Sequence, residues 1–181
     1  EERGLYGTLE FFPEEGKYHY GGHRNCKYCA SPEESRARGG LCPVCGKRIT
    51  MGVADRIDQL ADREQGFRPE NARHYENLAP LSEVIAASGG LSAASVKTRR
   101  QYLALLRELG PELYILRRAP LSDIEAQAGP CLAEGIRRLR EGSVRLEPGY
   151  DGEYGKVRIL DKEEVHRISG QGCLFAGSGY A

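Results

Sequence analysis

Four of the six cysteines fall in one window as two pairs, Cys26-Lys27-Tyr28-Cys29 and Cys42-Pro43-Val44-Cys45, separated by twelve residues. A Cys-x2-Cys turn presents two sulfurs from one tight knuckle. Tetrahedral zinc takes four thiolates at about 2.3 Å, so two knuckles complete one closed site. Pro43 presets φ in the second knuckle, and Gly46 permits the left-handed residue that turns backbone N–H groups toward sulfur. Two disulfides would use the same residues differently. Adjacent-pair spacing without a signal-peptide pattern favours metal in a reducing, cytoplasmic compartment. The expected ligands are Cys26, Cys29, Cys42 and Cys45, holding a structural Zn2+ with no position left open for catalysis. A module of about 40 residues has too little apolar surface to fold alone, whereas structural zinc contributes about 10–16 kcal/mol.

The residues around the knuckles carry their own signals. Ser31-Pro32-Glu33-Glu34 is a capping box with proline at the first helical position, so a short helix should run to about Arg38 and stop at Gly39-Gly40. Arg24, Lys27, Lys47 and Arg48 flank the thiolates. They either offset the double negative charge of a four-thiolate zinc or face nucleic-acid phosphate. Tyr6–Phe12 reads as a strand, and Lys17–Arg24 as a hairpin leading to Cys26. His19 and His23, four apart, would ligate metal together from a helix, which Gly21-Gly22 opposes. Tyr18 or Tyr20 could stack on an unpaired base.

Residues 51–80 read as a connector with a short helix from Asp55 to Leu60. Beyond them the period becomes helical. Leu81, Val84 and Ile85 share one face before Gly89-Gly90, and a longer helix starts near Ser92 or Ser95 and ends at Gly110-Pro111, with Tyr102, Leu105, Leu106 and Leu109 as its core stripe. Overall the 26 basic and 26 acidic side chains cancel, which excludes a uniformly basic nucleic-acid binder. The charges segregate, however: Leu91–Arg118 holds six basic residues, Lys97, Arg99 and Arg100 among them, against two acidic ones. A solvated helix face accounts for this pattern, and so does phosphate binding.

Ser122-Asp123-Ile124-Glu125 reads as a second capping box. The helix it starts breaks at Gly129-Pro130, and a further one over Cys131–Glu141 buries Leu132, Ile136 and Leu139 with Arg137, Arg138 and Arg140 outward. The pair weakly resembles a helix-hairpin-helix unit, with Ala128-Gly129-Pro130 where that motif has Gly-hydrophobic-Gly; Pro130 removes one N–H that a phosphate contact would use, which favours ordinary helical packing. Val144–Ile159 reads as a β-hairpin with Asp151-Gly152 near its turn, and 169–181 as a mobile Gly/Ser-rich tail. Cys131 and Cys173 read as a buried thiol and a tail thiol. No apolar run approaches a membrane span, and there is no His-x-His, P-loop or Gly-x-Ser-x-Gly. The opening Glu1-Glu2-Arg3 lacks a start Met and reads as a piece of a longer protein. The expected fold is α+β: a four-cysteine zinc ribbon-like module over 1–50, the connector 51–80, a helical domain over 81–142, and the hairpin and tail over 143–181.

A longer set of strings carries a family resemblance. These are Gly7-Thr-Leu-Glu-Phe-Phe-Pro-Glu-Glu-Gly-Lys-Tyr-His-Tyr-Gly-Gly-His-Arg-Asn-Cys26, Ser31-Pro-Glu-Glu, Cys42-Pro-Val-Cys-Gly-Lys, Asp55-Arg-Ile-Asp-Gln-Leu-Ala-Asp-Arg-Glu-Gln-Gly-Phe-Arg-Pro, Leu132-Ala-Glu-Gly-Ile-Arg-Arg and Pro148-Gly-Tyr-Asp-Gly-Glu-Tyr-Gly-Lys-Val. Together they resemble the part of endonuclease Q and its bacterial homologues that follows the catalytic domain, over roughly residues 4–160. The resemblance implies a DNA-repair nuclease that nicks 5′ to deaminated bases, uracil or hypoxanthine. Its metals would lie in a polymerase-and-histidinol-phosphatase domain whose motifs are not in this sequence, so this chain is expected to hold DNA and to contact its own catalytic domain without itself being the enzyme. The resemblance also implies that Cys26, Cys29, Cys42 and Cys45 bind zinc. A zinc-stabilised module that docks on protein without touching DNA is the alternative.

Overall fold

The computed structural model describes residues 4–175. The chain forms two compact units, the first from the residues up to Asn77 plus Leu146–Val157, the second from Leu78–Arg145 plus the chain from Arg158 onward. Among the described residues the architecture is α+β, with three two-stranded sheets.

In the first unit β1 (Gly7–Glu10) pairs in parallel with β4 (His74–Asn77), and β2 (Gly21–His23) pairs antiparallel with β3 (Tyr28–Ala30). Helix α1 (Pro32–Ala37) begins as its capping box demands: Ser31 Oγ accepts from the Glu34 N–H at 3.2 Å, and the Glu34 carboxylate accepts from the Ser31 N–H at 2.9 Å. Helix α2 (Val53–Leu60) starts on Gly52, whose N–H donates to the buried Asp55 carboxylate at 2.8 Å. The residues expected as a connector supply a strand besides their expected short helix. Strand β4 escaped the sequence reading because its partner lies more than 60 residues away and parallel pairing leaves no local turn signal.

The second unit is a helical bundle of α3 (Leu81–Gly89), α4 (Val96–Leu109), α5 (Glu112–Arg117), α6 (Leu121–Ala128), α7 (Pro130–Arg140) and α8 (Lys162–Phe175). Its core is formed by Leu81, Val84, Ile85, Leu105, Ile115, Leu116, Ile124, Leu132, Ile136 and Leu139, all buried, each contributing about 1.5–3 kcal/mol of transfer free energy. Ser95 caps α4 by accepting from the Thr98 N–H at 3.1 Å, and Gly110 ends it. The expected Ser122 box does not form: α6 starts two residues earlier, at Leu121 behind Pro120, whose fixed φ suits a helix entry, and the Ser122 hydroxyl donates to Asp123. Strands β5 (Arg145–Glu147) and β6 (Lys156–Arg158) form the expected hairpin. Helix α8 extends into the stretch expected as a mobile tail; residues 176–181 and the Cys173 side chain lie outside the described residues.

A candidate metal centre on two knuckles

β2 ends at His23, and a single 3-10 turn, Arg24–Cys26, leads to Lys27 in the left-handed region at φ 52° before β3 begins. The second turn, Cys42-Pro43-Val44-Cys45, ends on Gly46 at φ 70° with the Gly46 N–H donating to the Cys42 carbonyl at 2.8 Å. The two turns share one plan: donors at the first and fourth positions, then a left-handed residue. Glycine fills that place in the second knuckle, where a side chain would be strained.

These turns bring His23, Cys26, Cys42 and Cys45 together, with their donor atoms all within 4.8 Å of one another. Cys45 Sγ lies 3.3 Å from His23 Nδ1. The structure thus brings three of the four expected cysteines together with His23, while Cys29 stands apart, its Sγ 4.0 Å from the Pro148 carbonyl oxygen. Strand register is the reason. His23 pairs with Tyr28 and Gly22 with Cys29, and successive cross-strand pairs project to opposite faces of the hairpin. Cys29 therefore shares Gly22's face, away from His23. The sequence signal that finds His23 is His23-x2-Cys26, the same donor spacing as Cys42-x2-Cys45.

Thiol electrostatics differ across the group. Burial pushes Cys42 upward, but N–H donation from Cys45 and Val44 outweighs it and brings the thiol down to about 6. Cys26 is pushed up to about 11 by burial and by its neighbours Cys45 and Cys42. Cys29 also rises to about 11, from burial and the nearby Glu34 carboxylate. Three thiols and an imidazole in this arrangement can hold one soft or borderline divalent ion and leave it no open protein-side position.

The loop between β5 and β6 supports the knuckles from the Cys29 face. Tyr150 packs against Gly22, where a Cβ would lie 2.6 Å from the Tyr28 carbonyl oxygen and overlap the Tyr150 ring. Asp151 accepts from Thr50 Oγ1 at 2.6 Å and from the Arg24 N–H at 2.7 Å, and these bonds, the Thr50 one first, hold its carboxyl below the usual range. Neither residue's supporting role was legible in sequence, because both contacts span more than 100 residues.

The remaining expected site residues are dispersed. Arg24, Lys27, Lys47 and Arg48 are exposed around the knuckles. Tyr18 is exposed, while Tyr20 is half-buried and stacked on His19 with ring centroids 5.1 Å apart. In the second unit Lys97, Arg99 and Arg100 are exposed on α4. Arg137 and Arg138, expected to point outward, are half-buried and ion-paired: Arg137 to Glu134 and Glu141, Arg138 to Glu134 and Glu164 at 2.7 Å each. Carboxylates three and four residues away on the same helix, and one on α8, draw them in. Arg140 donates to the carbonyls of Ile115, Leu116 and Ala119. Helices α6 and α7 are joined by Gly129 alone. Among the described residues no helix is long and apolar enough to cross a membrane.

The two-knuckle α+β unit and the helical bundle are together similar in fold to solved endonuclease Q structures. The chain is similar to the crystal structure of the lesion-specific endonuclease PfuEndoQ from Pyrococcus furiosus, at 30% identity and a TM-score of 0.72, over 88% of this chain and 41% of that one. It is similar also to endonuclease Q in complex with a 27-mer duplex substrate carrying an abasic lesion at the active site, at 31% identity and a TM-score of 0.71, over 86% of this chain and 39% of that one. Residues 80–143 match the family described as the MJ0043 C-terminal domain. Among curated proteins, the uncharacterized protein MJ0043 of Methanocaldococcus jannaschii is 30% identical over 148 residues, and the uncharacterized protein YqxK of Bacillus subtilis 27% over 159. The chain spans 18% and 37% of their respective lengths.

Proposed function

We propose that the chain is the DNA-holding, zinc-stabilised part of a cytoplasmic repair endonuclease of the polymerase-and-histidinol-phosphatase type, which nicks DNA 5′ to deaminated bases such as uracil and hypoxanthine. The observation that carries the reading is the likeness, over most of this chain, to an endonuclease Q bound to a lesion-bearing duplex. Zinc sits on His23, Cys26, Cys42 and Cys45 and fixes the two knuckles as a rigid mount. Arg24, Lys27, Lys47 and Arg48 around that mount, and Lys97, Arg99 and Arg100 on α4, meet phosphate. The nicking chemistry belongs to the longer protein.

The test is DNA affinity as a function of salt. Each phosphate neutralised lowers log affinity by about 0.9 per log unit of salt, so several contacts give a steep line. Flat or absent binding by the zinc-loaded chain refutes the reading. The full-length protein should nick uracil-containing DNA with a divalent metal, and this chain alone should not.

One observation favours the docking alternative. Helix α2 turns Asp55 inward and leaves Val53, Ile57 and Leu60, at i, i+4 and i+7, exposed as an apolar stripe. That stripe suits a protein surface, such as the catalytic domain of the longer protein. Tight salt-insensitive association with that domain, lost in Ile57→Asp, is its signature.

A further inference from the structure

We infer that Tyr154, with Tyr18, forms a stacking platform for an unpaired nucleobase, and that Lys17 and Arg24 hold the adjoining phosphate. The inference rests on the DNA-holding reading and names the feature of DNA that this face takes.

Backbone hydrogen bonds fasten the loop between β5 and β6 onto residues 14–20. The Gly149 N–H donates to the Glu14 carbonyl at 2.8 Å, Tyr20 N–H to Gly149 at 2.9 Å, Gly152 N–H to Lys17 at 2.9 Å and Gly155 N–H to Glu15 at 3.1 Å. Tyr154 is thereby set beside Lys17. The Lys17 ammonium lies 5.6 Å from the Tyr18 ring centroid and 5.8 Å from that of Tyr154, inside the range at which a ring face attracts a cation. Gly152 lies between the Arg24 guanidinium and the Tyr18 hydroxyl: a Cβ added there would meet them at 3.3 and 3.8 Å. Two tyrosines and two cations thus converge on one patch.

Neither ring is buried. Tyr154 is 71% exposed and Tyr18 46%, although each could contribute substantially to a core if buried. Of the two acids in this tip, Asp151 and Glu153, Asp151 has its carboxylate fixed by Thr50 and the Arg24 N–H. An exposed ring in a firmly held loop, beside cations, matches what a splayed nucleotide offers: a π-face and a phosphate one bond away from its sugar. Paired bases offer phosphate but no free face, so the platform selects DNA with an unstacked base.

The test uses the zinc-loaded chain, a short duplex, and the same duplex carrying an unpaired loop with 2-aminopurine. Wild-type chain should bind the looped DNA more tightly and quench its fluorescence. Tyr154→Ala should lose about tenfold for the looped DNA and less than about twofold for the plain duplex, with the quench abolished. Tyr154→Phe should retain both. Lys17→Ala should weaken both DNAs and lower the salt slope by about one. An unchanged circular dichroism spectrum establishes that each variant is folded. Wild-type affinity and quench in Tyr154→Ala would overturn the inference while the DNA-holding reading stands; binding of neither DNA by the wild-type chain would overturn both.

Discussion

Replacing His23 should cost the metal, and replacing Cys29 should not. Structural zinc stabilises small modules by about 10–16 kcal/mol, so one donor of four accounts for roughly 3–4 kcal/mol, or about 100- to 1000-fold in metal affinity. That loss is a large share of a whole-domain stability of about 5–15 kcal/mol, so His23→Ala should clearly lower the thermal midpoint of the first unit. Cys29 Sγ lies outside the donor group, against the Pro148 carbonyl, so Cys29→Ser should cost about 1 kcal/mol or less. The assay is metal stoichiometry by atomic emission, with cobalt as an optical probe. Wild-type chain should show the thiolate-to-cobalt absorption of three sulfurs, and His23→Cys should raise it by about a third. Loss of metal in Cys29→Ser with retention in His23→Ala would refute the strand-register argument.

Three further outcomes follow from the packing. Gly22→Ala should push Tyr150 off the hairpin and destabilise the first unit by about 1–3 kcal/mol, read as a lower thermal midpoint with the helical unit unaffected. In the helical unit, Arg137 and Arg138 hold Glu134 down at about 2, and Arg138 and the Asp161 N–H do the same for Glu164. A carboxyl lowered on folding adds stability above its unfolded value near 4.5 that drains as pH falls toward 2, and for Glu134 this amounts to about 1–2 kcal/mol after allowing for partial exposure. Melting followed between pH 6 and 2.5 should show that slope, and Glu134→Gln should flatten it. Arg140→Met should cost about 2–4 kcal/mol by leaving three carbonyls at the end of α5 without their donor, whereas Arg99→Met should leave the melting temperature unchanged within error.

What the sequence disclosed was local. The Cys42–Cys45 knuckle was legible because Pro43 and Gly46 state its backbone outright. Helix α1 and the start of α4 were legible because Ser31 and Ser95 sit where orphan N–H groups need an acceptor. His23 was hidden by a stronger pattern: Cys26-x2-Cys29 looks like a knuckle, and only the hairpin register reveals that Cys29 faces the wrong side. The pairing of β1 with β4 and the clasp of the 148–155 loop on residues 14–20 are long-range backbone contacts, which composition and periodicity do not encode. Arg137 and Arg138 followed helical phase, but phase says nothing about the carboxylate that α8 brings to Arg138.

The central claim, that this chain holds DNA on its knuckle face, is tested most directly by backbone amide NMR during titration with a lesion-bearing duplex. The account predicts shifts concentrated at Lys17–Lys27, Lys47–Arg48 and Asp151–Tyr154, with a second set at Lys97–Arg100, all reversed by salt. Shifts absent from those segments, with only the exposed stripe of α2 responding when the catalytic domain is added, would contradict it.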